Sequence, residues 1–487
     1  MTDLAGGSAT DQLAALRERR VSAEELLDAH LARHHAWHDR INAVVATDLD
    51  AAAEQARRID TDRARGRPLG PLAGLPMTVK DGFDVLGMPA VSGVPALAAR
   101  ADDRPDADVV AAARAAGAVV WGKTNVPAML GDFQTFNAVY GTTRNPYDLE
   151  RTPGGSSGGA AAALAAGVTP LEIGSDIGGS LRHPAHFCGV YALKPTWGTL
   201  SMRGQVPPGP GPYVEMDLGV AGPMARTAAD LALLFDVLRG RPGADPGSGD
   251  GPRAVSSAGG AARVALWLDE PGLALSAEAR AGVLRAAEGL RAQGVDVVEA
   301  RPPLDVGRLL DCYLTLLFPL MLAGLPDRAY DQLAAGRAGA ERAVAEGAGR
   351  YSQEAFVLAA TASYRAVARA QVVRAGLTEA LRAWFADWDA VLAPVSPVPA
   401  FGHRQSGAMP TRELEVDGTT VPYLHMLDWI ALATATHAPA VAVPAGRTAG
   451  GLPVGAQLIG RWGEEVRLLG LAGLLERETG GFHPPVQ

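Results

Sequence analysis

Two serine clusters set among glycines are the residues best suited to chemistry in this chain. One is Thr152-Pro153-Gly154-Gly155-Ser156-Ser157-Gly158-Gly159, and the other is Gly174-Ser175-Asp176-Ile177-Gly178-Gly179-Ser180. Glycine reaches backbone angles closed to other residues and lets a ligand approach the main chain. A serine in such a setting stands beside a row of backbone N–H groups. Acyl transfer needs that combination, an oxygen nucleophile with donors aimed at the developing oxyanion. The nucleophile also needs a base. Upstream, Leu75-Pro76-Met77-Thr78-Val79-Lys80-Asp81-Gly82 ends an apolar, β-prone run on a lysine at a turn. A free lysine has a pKa of about 10.4, so a basic role requires burial to lower it. The apolar run before Lys80 is consistent with such burial.

On these residues the chain resembles the amidase signature family, whose members use a Ser–cis-Ser–Lys triad. The resembling segments are residues 75–93, 122–127, 140–146, 152–163 and 174–198, with further matches at 391–399 and 438–460. The resemblance implies Lys80 as general base, Ser156 as the bridging serine with a cis peptide bond to the preceding glycine, and Ser180 as nucleophile. It implies an oxyanion hole made by the amides of Ile177, Gly178, Gly179 and Ser180. It places an apolar wall for the substrate at Leu130, Gly131 and Phe133, next to Ser156. Ser157 orients the triad or serves as a turn hydroxyl. Asp176 and Arg182 are expected to form a structural ion pair, in preference to Arg182 receiving a substrate carboxylate. Asp132 is expected to hold its own loop, in preference to facing a polar substrate group. His183 stands where the related tRNA amidotransferases often carry glutamine, which counts against that reading. Trp197, Tyr191 and Trp429 fit either aromatic substrate surface or core.

The expected activity is amidohydrolysis of carboxylic C–N bonds in linear amides through an acyl-enzyme. Ester or carbamate hydrolysis by the same triad, and an amidotransferase-type subunit that needs a partner, are the alternatives. No metal or organic cofactor is implied. The expected partner is a small-molecule amide, ester or carbamate, and a homodimer is compatible with the sequence.

Two unrelated readings compete. Residues 155–159 also satisfy the G-x-S-x-G elbow of α/β-hydrolases, with Ser157 as nucleophile, His437 as base and Asp428 as orienter. That elbow needs a strand directly before it, whereas residues 145–153 read as loop. A phosphate-binding loop would need the GK[ST] ending, which is missing after the glycine run at 154–159. His30, His34, His35 and His38 cluster near the N-terminus, three of them at i, i+4 and i+8. No acidic ligand accompanies them, so surface histidines are preferred to a metal site.

The supporting elements follow from composition and periodicity. The chain has 487 residues, 48% hydrophobic and 20% charged, with a net charge of −9. That suits a large apolar core and disfavours nucleic-acid binding, which wants a basic face. Two cysteines, Cys188 and Cys312, exclude a disulfide framework and fit a reducing cytoplasm. No signal peptide or membrane span is evident. Residues 10–65 read as helical, with a capping box at Ser22 and Glu25. From 72 to 236, short strands alternate with helices, as expected for an α/β layer fold. A Gly/Pro-rich linker is expected at about 239–261, followed by a β-α-β-like unit, a helical segment at about 305–386 and late strands at about 388–460; the resemblance implies that these strands rejoin one mixed central sheet flanked by helices and that the helical segment is a variable lid. The whole chain, 1–487, is read as one domain.

Overall fold

The computed structural model describes residues 4–207, 215–239 and 262–486. The expected linker therefore lies outside the described residues, except at Arg239, which ends a helix.

The run that carries the lysine folds as the strand Pro76–Lys80, buried at every position. A strand covered on both faces has no solvent side, which is why its apolar run is nearly unbroken. It pairs in parallel with Val119–Thr124 on one side and Leu171–Asp176 on the other. Lys80 and Asp176 thus lie at the same, carboxyl ends of neighbouring parallel strands, the end where open α/β sheets place their ligands. These strands belong to a sheet with eleven strands among the described residues. Its order is Val44–Thr47, Val119–Thr124, Pro76–Lys80, Leu171–Asp176, Val220–Ala225, Tyr191–Lys194, Ala440–Arg447, Pro453–Gly460, Ala390–Pro394, Arg263–Leu266 and Asp296–Glu299. The sheet is mixed: pairing is antiparallel from Leu171–Asp176 through to Ala390–Pro394 and parallel beyond it. The fold is that of the expected α/β class.

Side-chain alternation divides the core. Val441 and Val443 join one apolar cluster, whereas Ala440 and Ala442 join another. Successive residues of a strand face opposite ways, so the two clusters cover opposite faces of the sheet. Helix Gly158–Ala165, which follows the first serine cluster, is buried at all eight positions. Its sequence is glycine, alanine and one leucine, small enough to pack between sheet and neighbours.

The N-terminal reading needs one correction. The capping box at Ser22 and Glu25 is present at the start of helix Ala23–Ile41. However, Val44–Thr47 is a strand rather than part of a helical stretch, paired antiparallel with Val119–Thr124. Asn42 takes a left-handed conformation that stops the helix and turns the chain into the sheet. Between 306 and 384 the chain forms five helices, Val306–Met321, Asp327–Ala335, Arg337–Ala345, Gln353–Ala360 and Tyr364–Trp384. The first of these lies over the second serine cluster, where Tyr313 Oη donates to the Ile177 carbonyl at 2.7 Å.

The glycines of the two clusters differ in what they tolerate. A Cβ on Gly159 would lie 2.4 Å from the Asn125 nitrogen and 2.6 Å from its oxygen, both backbone atoms. A Cβ on Gly178 would meet nothing closer than 3.6 Å. Overpacking against rigid backbone typically costs about 1–3 kcal/mol or more. Gly159→Ala is therefore expected to lower the thermal unfolding midpoint by several degrees, and Gly178→Ala to leave it nearly unchanged, as read by scanning calorimetry.

Candidate active site

Lys80 is fully buried and its Nζ is surrounded by hydroxyls. It donates to Ser156 Oγ at 2.7 Å, Ser157 Oγ at 2.9 Å and Ser175 Oγ at 3.1 Å, with the Ser175 carbonyl at 3.3 Å. Burial pushes Lys80 down to about 7, against the opposing pull of Asp176 and Glu172. Burial alone does not single this lysine out. Lys194 is likewise pushed down to about 7, but its Nζ is bonded to the Pro195 carbonyl. Lys123 is buried too and is paired with Asp81 at 2.9 Å. Only Lys80, among these three, faces serine hydroxyls.

The Gly155–Ser156 peptide bond is cis. The Ser157 N–H donates to the Ser180 carbonyl at 3.1 Å, which ties the two serine clusters together. Ser156 and Ser180 line the same cavity, of about 330 Å³.

Asp176 organises the loop that carries Ser180. Burial would raise its pKa, but the Arg182 guanidinium beside it holds the carboxyl well below the usual carboxylate range. Arg182 Nε donates to Asp176 Oδ2 and Nη2 to Asp176 Oδ1, each at 3.0 Å. The remaining Arg182 donors reach the Ile430 carbonyl, Gln457 Oε1 and Thr434 Oγ1 at 3.1, 3.1 and 2.7 Å. A guanidinium has five N–H donors, and all five are engaged here. Arg182 has none left for a substrate carboxylate.

The expected set of oxyanion donors needs a correction at one member. The Gly179 N–H donates to Asp176 Oδ1 at 2.9 Å, so that amide is turned back toward the strand and leaves the set. The amides of Ile177, Gly178 and Ser180 donate to no acceptor among the described residues. His183 packs against this loop, where a Cβ on Gly179 would come 2.5 Å from its ring, and stands edge-on to Phe133 at 5.4 Å. Burial and the adjacent Arg182 push His183 down to about 3, so the ring is neutral.

Of the expected substrate wall, Leu130 lines the main cavity, and Gly131 and Phe133 line a smaller recess beside it, against Gly178 and Ser180. Asp132 borders the same recess, but its carboxylate is held by Arg412, by the Tyr423 hydroxyl at 2.9 Å and by the Gln134 N–H at 3.2 Å. Tyr191 and Trp429 are core residues. Trp197 stacks on His437 and donates to the Met216 carbonyl at 2.9 Å, supporting the cavity from behind.

The elbow reading does not assemble. His437 is bonded to Asp217 at 2.7 Å, and Asp428 is engaged by Tyr351 and His425. Ser157 faces Lys80 instead. The N-terminal histidines do not form one site either: His30 is buried against Gln12 and Val168, while His34 packs against His35, His38 and Trp121. Among the described residues no cluster of histidine, cysteine and acidic side chains has metal-binding geometry.

Three contributors escaped the sequence reading. Ser175 adds a third hydroxyl to Lys80. Tyr313 comes from the distant helical segment. Glu172 is buried on the Lys80 side of the sheet, accepting from Thr78 Oγ1 at 2.7 Å. The period of two in Leu171–Asp176 places Glu172 and Asp176 on one face, which was the available signal. Burial pushes Glu172 up to about 8, against hydrogen bonds that lower it.

Residues 25–469 match the Amidase family model. The chain belongs to the amidase signature family. It is 34% identical to a glutamyl-tRNA(Gln) amidotransferase subunit of Salinispora tropica, with all of both chains covered. It is also 34% identical to the AtzE component of the 1-carboxybiuret hydrolase of Pseudomonas sp. strain ADP, covering 95% of this chain and 96% of that one. The solved structure of 6-aminohexanoate cyclic dimer hydrolase superposes with a TM-score of 0.77 at 29% identity, covering 97% of each chain. No helix among the described residues is long and apolar enough to cross a membrane.

Glu172 makes a stability prediction. Its folded pKa lies above its unfolded value of about 4.3, so the folded state holds the extra proton between those values. That contribution is complete below the unfolded pKa and is lost as pH rises through about 8. Glu172→Gln is expected to be nearly neutral at pH 4 and increasingly stabilising as pH rises to 9, measured by urea denaturation at both ends.

Proposed function

We propose that this chain is an amidohydrolase acting on small-molecule linear amides, with Ser180 as nucleophile and Ser156 and Lys80 as its proton relay. The observation that carries this reading is the buried amine of Lys80, 2.7 Å from Ser156 Oγ and with its pKa lowered to about 7. A neutral lysine amine keeps two N–H donors and gains a lone pair. Ser157 and Ser175 can receive the donors, which leaves the lone pair for the Ser156 proton. Ser156 Oγ then accepts the proton of Ser180 as Ser180 Oγ attacks the carbonyl carbon. The amides of Ile177, Gly178 and Ser180 receive the charge that forms on the carbonyl oxygen, each contributing about 3 kcal/mol of transition-state stabilisation. As the C–N bond breaks, the proton returns through Ser156 to the leaving nitrogen. Water, deprotonated by the same relay, cleaves the resulting ester and frees Ser180. Esters and carbamates fit the same steps, since their leaving groups need less protonation.

The likeness to a tRNA amidotransferase supports a second reading, in which the chain works beside partner subunits. Hydrolysis of simple amides by the isolated chain separates the two.

Ser180→Ala is expected to reduce amide turnover below detection with an unchanged thermal midpoint; retained turnover sinks the assignment. Lys80→Ala is expected to cost about 10²–10⁴-fold in kcat/KM, the usual reach of general acid–base catalysis. The base must be unprotonated, so kcat/KM should climb from pH 6 to pH 8 with a midpoint near 7. A profile flat across that interval would exclude Lys80 as the base.

A further inference from the structure

The cavity that Ser156 and Ser180 open into is walled mostly by apolar side chains. Met129, Met202, Met216 and Met321 line it together with Leu130 and Leu320. No lysine, arginine or histidine lines it among the described residues, and its charged members, Asp176 and Glu215, are both acidic. The Lys80 amine lies behind the hydroxyls of Ser156, Ser157 and Ser175 and does not line the cavity, and the neighbouring arginines are engaged within the fold. Arg182 gives every donor to neighbours within the fold, and Arg412 is divided between Asp132 and the carbonyls of Ser406 and Gly407. Arg374 is paired with Asp217, which also binds His437. A carboxylate brought into this space would lose its hydration and meet no cation. A buried unpaired charge is among the costliest arrangements in a protein. Methionine side chains, by contrast, are polarisable and adapt to irregular apolar ligands.

We propose that the site selects neutral amides with a flexible apolar chain and rejects amides that carry a carboxylate, free glutamine included. The inference rests on the catalytic reading above for where the amide group sits. The cavity, of about 330 Å³, has room for an alkyl chain of several carbons beyond the scissile group. Each methylene that enters should strengthen binding by about fourfold, the equivalent of its transfer out of water.

The test is calorimetric titration of the Ser180→Ala protein, which binds without turnover, with butyramide, hexanamide, octanamide, glutaramate and L-glutamine. Affinity is expected to rise about 100-fold or more from butyramide to octanamide, with glutaramate and L-glutamine at least tenfold weaker than butyramide. Adding Met321→Glu should remove the dependence on chain length. Equal affinity along the neutral series, or L-glutamine as the tightest ligand, overturns the proposal. So does a chain-length dependence unaltered by Met321→Glu. Turnover by the unaltered enzyme is a separate readout. Binding that follows chain length, with no hydrolysis of any amide, removes the catalytic assignment and leaves the selectivity standing. Hydrolysis that favours glutaramate removes the selectivity and leaves the catalytic assignment.

Discussion

The structure turns on keeping one amine dry. Lys80 lies at the end of a strand whose both faces are covered, so water cannot solvate its charged form. Without that burial, the amine would hold its proton at neutral pH and serve only as a donor to the hydroxyls around it. The burial in turn requires the strand to sit inside the sheet, flanked in parallel by Val119–Thr124 and Leu171–Asp176. It also requires the serine loops to close over the amine, which their glycines permit by letting backbone pass within van der Waals contact of backbone. Acidic neighbours limit how far the pKa falls. Asp176 is neutralised mainly by Arg182, and Glu172 is kept largely protonated by its own burial. The balance leaves Lys80 near neutrality rather than far below it.

Much of this was legible in the sequence because the pieces that carry it are local. The glycine-serine runs, the apolar strand before Lys80, and the alternation of strands and helices each sit in consecutive residues. The α/β class followed from those elements, and the single mixed sheet from the family resemblance they carry. What escaped depends on long-range assembly. Tyr313 meets Ile177 across 136 residues of chain, and the aromatic residue gives no hint of that partner. The methionines of the cavity come from three separate segments, and none of them forms a periodic pattern. Val44–Thr47 was hidden by its shortness, since a strand that brief between two helices carries too little pattern to mark it. The Gly179 amide illustrates a subtler limit. Residue types show that a loop can present amides, but only the folded loop shows that one of them turns toward Asp176.

Several polar groups near the reaction centre are closed off within the fold. Arg182, Asp132 and His437 all looked available by type, as a carboxylate receptor, a substrate contact and a base. Each is instead bound to neighbours that fix a loop or a helix. This gives the site a division of labour, in which charge is used to build the frame and hydroxyls and backbone amides are left to face the substrate. Uncharged donors lose less on desolvation, which suits a site that must stay dry.

The phenol of Tyr313 does more than anchor a helix. The carbonyl it bonds belongs to the same peptide unit as the Gly178 N–H, one of the amides assigned to the oxyanion. Hydrogen bonds in series polarise one another, so drawing electron density toward that carbonyl oxygen leaves the N–H across the plane more acidic. The helical covering is thereby connected electronically to the reaction centre, through a single planar amide. Divergence of that covering can adjust catalytic strength as well as shape, without altering any residue of the serine loops.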